Sequence, residues 1–149
     1  MGKKKVSQKT KEEQFKESEA VESAVVKVKE GSGKKLTAGN VYISASYNNT
    51  IITVTDERGD VVGWSSAGSL GFSGPKKATP FAASKIVAGL SEKLKKSGLS
   101  AVNVFVNGVG SGRDSAIRSL ANRGFNILSI KDVTPIPHNG PRPKKVRRV

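Results

Sequence analysis

Val41–Ser65, VYISASYNNTIITVTDERGDVVGWS, carries the pattern from which the architecture follows. Val41, Ile43, Ala45 and Tyr47 fall on one side of an extended chain, the period-two pattern of a strand half-buried against a core. Asn48-Asn49 supplies turn residues that tolerate positive φ, Ile51–Thr55 is β-branched throughout, and Glu57-Arg58-Gly59-Asp60 forms a second tight turn. Val61–Ser65 resumes the strand pattern with Trp64 near its end. Three such runs joined by short turns predict an antiparallel meander.

Beyond the meander the period changes. Thr79 is placed to cap a helix with Pro80 at its first position, and Ala82, Ile86, Leu90 and Leu94 recur every four residues until Gly98 ends the pattern. Ala101–Asn107 returns to period two, with Val102, Val104 and Val106 sharing a face. A second helix is predicted over Asp114–Arg123, capped by Asp114, striped by Ile117, Leu120 and Ala121 and stopped by Gly124. Ile127–Val133 is the last strand, and Phe81 and Phe105 are assigned to the core; Trp64 and Phe72 flank the first glycine loop, where stacking on bases is the alternative to the core packing assigned to Trp64. The order β-β-β-α-β-α-β predicts an α/β domain: a mixed five-stranded sheet with two covering helices, compatible with a ribonuclease-H-like motif. Right-handed crossovers make the fourth and fifth strands parallel to the first, in the spatial order 3-2-1-4-5.

Around this domain, assigned to residues 36–134, the composition shifts. Residues 1–35 read as a flexible charged arm, since residues 1–30 hold eight Lys and six Glu with a single aromatic. Residues 135–149 read as an extended basic tail: Pro135, Pro137 and Pro141 forbid a helix or central strand, and Arg142, Lys144, Lys145, Arg147 and Arg148 have no acidic counterweight. Across all 149 residues, 26 Lys plus Arg against 12 Asp plus Glu leave a net charge of +14, which calls for a polyanionic partner. The absence of Cys excludes disulfides and thiolate metal sites, and His138 is the only imidazole. No apolar run reaches the roughly 20 residues that span a bilayer, so the expectation is a soluble, cytoplasmic protein with no membrane partner.

Two glycine-rich loops, Ala67–Pro80 and Gly108–Arg113, each end at a predicted helix N-terminus and carry Lys76, Lys77 and Arg113, an arrangement suited to phosphate. A dinucleotide site fails at the third glycine of its fingerprint, where Arg113 stands. A nuclease would need clustered carboxylates, but Asp56, Glu57 and Asp60 crowd one turn, Glu92 lies on a helix's wet side and the first strand offers Ser44 and Ser46. Nothing orients His138 as a base toward a serine. The sequence therefore assigns no catalytic residue, metal, cofactor or small-molecule substrate, and points to nucleic acid; a free-standing RNA or DNA binder is the alternative within that class.

Asn48-Asn49-Thr50, SSAGSLGFSGPKKATP at Ser65–Pro80, GVGSGR at Gly108–Arg113, AIRSL at Ala116–Leu120 and above all DVTPIPHNG at Asp132–Gly140 resemble the bacterial branch of the small-subunit ribosomal protein eleven family over about residues 36 to 149. The resemblance implies a non-enzymatic constituent of the small (30S) subunit that binds 16S rRNA on the platform. It implies bridging of several rRNA helices, a part in the cleft for the messenger's Shine-Dalgarno pairing, and ribosomal proteins seven and eighteen as neighbours. Carried over by position, it implies rRNA contacts from Asn48, Asn49, Lys76, Lys77, Arg113, His138, Asn139, Arg142, Lys144, Lys145, Arg147 and Arg148. The tail departs from the family's usual pattern at Pro141, Lys144 and Val146.

Overall fold

The computed structural model describes residues 36–146, the side chain of Lys96 excepted; the arm assigned to residues 1–35, and Arg147 and Arg148, lie outside the described residues. Strands β1 (Ala38–Ala45), β2 (Thr50–Thr55) and β3 (Val61–Ser66) form the expected meander. They are followed by helix α1 (Pro80–Lys96), strand β4 (Ala101–Asn107), helix α2 (Gly112–Asn122) and strand β5 (Asn126–Asp132). The strands make one five-stranded sheet in the order β3-β2-β1-β4-β5, with β1 parallel to β4 and β4 parallel to β5, as the crossover rule requires.

Alternation in β1, β2 and β4 drives the packing. Val41, Ile43, Ile52, Val54, Val102, Val104 and Val106 form a sealed apolar face, against which α1 lays Ala82, Ile86, Leu90 and Leu94 and α2 lays Ala116 and Leu120. Thr79 caps α1 as its sequence suggests, accepting a hydrogen bond from the Ala82 amide at 3.3 Å.

Several expectations are corrected. Tyr47 lies outside β1 and is 79% exposed, because the Ser46 hydroxyl accepts from the Asn49 amide at 3.0 Å and turns the chain two residues earlier. Helix α2 starts at Gly112 with Ser111 at the cap position, so Asp114 is a first-turn acid instead of the cap. Gly112 packs closely there: a Cβ on it would stand 2.6 Å from Thr50 Oγ1 and 3.2 Å from the Ala83 Cβ. The stripe of α2 holds Ala116, Ile117 and Leu120, with Ile117 partly buried against the core, while Ala121 is exposed. The first glycine loop is also less open than expected. It contains two 3-10 turns, Gly68–Leu70 and Gly74–Ala78, and plugs the core with Ala67 and Leu70.

Three aromatic side chains expected in the core lie elsewhere. Trp64 pairs with Thr53 across β3 and β2, on the sheet face away from both helices, and is 59% exposed. Phe105 is on that same face, half-buried and stacked on Tyr42. Phe81 sits in the first turn of α1, 61% exposed, edge-on to Phe72 at 6.1 Å and with Lys85 Nζ 5.6 Å from its ring.

Candidate nucleic-acid interface

Because β1, β3, β4 and β5 run in the same direction, the segments that follow all four emerge along one rim of the sheet. These are the Asn48-Asn49 turn, both glycine loops and the start of the tail. In open α/β sheets this carboxyl-end rim is where ligands bind. Hydrogen bonds tie the segments together. Ser111 Oγ donates to the Ala78 carbonyl at 2.8 Å, joining the two glycine loops, and the Gly110 amide donates to the Ala45 carbonyl at 2.8 Å, joining the second loop to β1. The N-termini of α1 and α2 both lie here, so two positive dipole ends face the same region.

The second loop needs its glycines for close approach. Gly108 has φ 94°, and a Cβ there would lie 2.2 Å from the Ala45 carbonyl oxygen; on Gly110 it would lie 2.3 Å from that of Ser46. Backbone crowding therefore explains these residues before any ligand is invoked.

A closed set of bonds joins this loop to the tail. Arg113 Nη1 donates to the Gly108 carbonyl at 2.9 Å and Nη2 to Asp132 Oδ2 at 2.7 Å. The other carboxylate oxygen, Oδ1, accepts from the Thr134 amide at 2.9 Å and its hydroxyl at 2.6 Å, while the Gly108 amide donates to Thr134 Oγ1 at 3.1 Å. The two Thr134 bonds and the Arg113 guanidinium hold the Asp132 carboxyl well below the usual carboxylate range.

Of the residues singled out in the sequence, Asn48 is exposed, and Asn49 is half-buried with its Oδ1 accepting from the Thr50 amide at 3.0 Å. Lys76 is exposed and Lys77 half-buried in the second 3-10 turn. Arg113 is 29% exposed and its guanidinium is partly engaged within the chain. His138, Asn139, Arg142, Lys144 and Lys145 are exposed along the tail, where Asn139 has φ 50°. The rim thus brings together Asn48, Asn49, Lys76, Lys77 and Arg113, with the tail leaving from the same side. Of the six carboxylates in the described residues, Asp56, Glu57 and Asp60 are in the turn between β2 and β3 and Glu92 is late in α1, all away from the rim. Asp56 is itself used up in that turn, accepting from the Arg58 and Asp60 amides at 2.8 and 2.9 Å.

Sequence reasoning missed two features. One is the Asp132–Thr134 bracket: only its contact with Arg113, 19 residues away, reveals its purpose. The other is the sheet face carrying Tyr42, Trp64 and Phe105, which has no helix on it among the described residues. Its signal was present, since Tyr42 lies between Val41 and Ile43 and must point the opposite way.

A family model described as ribosomal protein S11 matches residues 39–148. The chain is 54% identical over 116 residues to the small ribosomal subunit protein uS11 of Treponema pallidum (strain Nichols), a match spanning 78% of this chain and 92% of that protein. It is 52% identical over 122 residues to the uS11 of a Sulfurovum species, covering 81% of this chain and 98% of that protein. Against the uS11 of a Nitratiruptor species the identity is 55% over 117 residues, covering 78% of this chain and 90% of that protein. With the family model covering the whole described sheet but for the start of β1, and the relatives matched over nearly their full length, the chain belongs to the ribosomal protein S11 family.

Proposed function

We propose that this protein binds 16S rRNA on the platform of the small subunit, bridging several rRNA helices and helping to form the cleft for the messenger's Shine-Dalgarno pairing, beside ribosomal proteins seven and eighteen. Family membership makes it a structural, non-catalytic constituent of the cytoplasmic small (30S) ribosomal subunit, working in translation among rRNA and other ribosomal proteins. What supports the finer statement is the gathering of four separate chain segments on one rim. Each brings a different means of meeting phosphate: amide side chains at Asn48 and Asn49, cations at Lys76 and Lys77, the guanidinium N–H groups of Arg113 left over from Asp132 and Gly108, and the tail from His138 through Arg142, Lys144 and Lys145 to Arg147 and Arg148. Segments that diverge from one rim reach more than one RNA helix, and counterion release supplies much of the affinity.

The absence of native Cys permits a direct test. Single substitutions Asn48→Cys, Lys76→Cys and His138→Cys, each carrying a tethered iron chelate, are assembled into 30S particles and allowed to cleave nearby RNA with hydroxyl radicals. Cleavage in different 16S helices from the three positions is expected. Cuts confined to one helix, or none above background, would overturn the bridging role.

A further inference from the structure

Both described helices pack on one face of the sheet, and the opposite face, which carries no helix among the described residues, shows a continuous pattern across all five strands. In register, Trp64 of β3 stands opposite Thr53 of β2, Thr53 opposite Tyr42 of β1, Tyr42 opposite Phe105 of β4, and Phe105 opposite Lys131 of β5. Tyr42 and Phe105 stack with ring centroids 5.0 Å apart and planes 15° from parallel. Trp64 forms no aromatic pair among the described residues and is 59% exposed. Only the short Thr53 side chain stands between it and the Tyr42–Phe105 stack. At a strand spacing of about 4.8 Å, Trp64 and Tyr42 spring from backbones roughly 10 Å apart. Side chains rising from backbones that far apart can hold between them a flat group about 3.4 Å thick, the rise of one nucleotide.

The neighbouring rows carry no carboxylate and are mostly polar, the apolar member being Ile51 of β2, which stands opposite Ser44 and Ser66 and is 38% exposed. On one side, Asn103 Nδ2 donates to Asn40 Oδ1 at 3.4 Å and Ser129 Oγ to Asn103 Oδ1 at 2.8 Å, a ladder that stiffens the face. On the other, Ser44 pairs with Asn107 beside the rim. Aromatic rings set among hydroxyls and amides, free of acid and ended by a lysine, suit a ligand with π faces, polar edges and negative charge. An apolar protein surface would instead strand Thr53, Ser44 and Asn107 without partners.

We propose that this open face is a site for unpaired nucleotides of RNA, with one base held over Thr53 between the Trp64 indole and the Tyr42–Phe105 stack, and Lys131 meeting a phosphate. The proposal rests on the rRNA-binding reading above and names a surface that reading does not use. The rim would take the phosphates of folded helices, and the sheet face would take the bases of a single strand.

Trp64 is the only tryptophan, so its fluorescence reports on this face alone. The full-length chain is titrated with an unstructured eight-nucleotide oligouridylate and with a blunt RNA duplex, binding being followed independently by anisotropy of labelled RNA. The single strand is expected to quench Trp64. Tyr42→Ser is expected to weaken single-strand binding by about five- to tenfold at fixed salt while leaving the salt slope unchanged, because stacking releases no counterions. Trp64→Ala, a surface change, should lower single-strand affinity comparably, and Trp64→Phe should restore most of it. Lys76→Ala with Lys77→Ala should flatten the salt slope for the duplex yet leave the quench at saturation intact. Duplex binding without any single-strand quench would overturn this proposal and spare the rRNA reading, whereas failure to bind either RNA would overturn both. Quenching by 30S proteins and not by RNA would identify a protein-binding face and likewise overturn it.

Discussion

Asp132 is exposed, yet it is the most constrained carboxylate in the described residues, because Arg113 and both donors of Thr134 converge on it. Its bonds fix where the chain leaves β5 and the tail begins. A depressed folded-state pKa means that the charged form is favoured by folding, so this contribution is complete above the unfolded value near 3.9 and is lost as pH falls toward the lower folded value. Asp132→Asn should therefore speed exchange of the Thr134 and Gly108 amides at neutral pH, and in the native protein the same amides should remain protected until the pH drops below about 4. Hydrogen exchange followed by NMR checks both. Gly108 is constrained by backbone instead of charge. Gly108→Ala combines a left-handed φ of 94° with a 2.2 Å approach to the Ala45 carbonyl oxygen, and should cost at least about 2 kcal/mol in urea denaturation.

Among the elements, α1 carries the clearest division between local and tertiary stabilisation. Its start is local: Thr79→Ala removes the cap on the Ala82 amide and is expected to cost about 1 kcal/mol. Its hold on the sheet is tertiary: Leu90 is 2% exposed within the core, and Leu90→Ala should cost about 2–5 kcal/mol with a fall in urea midpoint at unchanged slope. The contrast shows why α1 was legible in the sequence and α2 less so. In α1 a proline after a threonine and a four-residue apolar period agree. In α2 the true first residue is Gly112, which only a glycine could fill because it packs against Thr50 and Ala83, two residues far away in the chain. Without those neighbours, Gly108–Arg113 has the composition of a loop and Asp114 that of a cap.

At the scale of the whole molecule, the parallel crossovers turn four separate stretches of sequence into one basic rim and put both described helices on one sheet face, leaving the other without a helix among the described residues. If Lys76 and Lys77 each neutralise a phosphate, removing both should reduce the magnitude of the slope of log K against log salt by about 1.4–1.8, whereas losing an interaction that makes no ionic contact would lower affinity without changing the slope. Filter binding of the full chain to 16S rRNA between 50 and 200 mM salt, roughly the range over which such effects are large, measures this directly.

The element order, the buried strand faces, helix α1 and the basic excess are legible along the chain, because periods of two and of nearly four residues and the sum of charges are properties of neighbours in sequence. It also carried the family, through segments such as DVTPIPHNG. Tertiary structure alone decided where the large aromatics went. Trp64, Phe81 and Phe105 are apolar enough for a core, but valines, isoleucines and leucines fill the space under the helices, and the register of β1 to β4 places Trp64 and Phe105 on the side away from both described helices. It decided equally that Arg113 would meet Asp132, since only the β4–α2–β5 crossover brings residues 19 positions apart to within 2.7 Å.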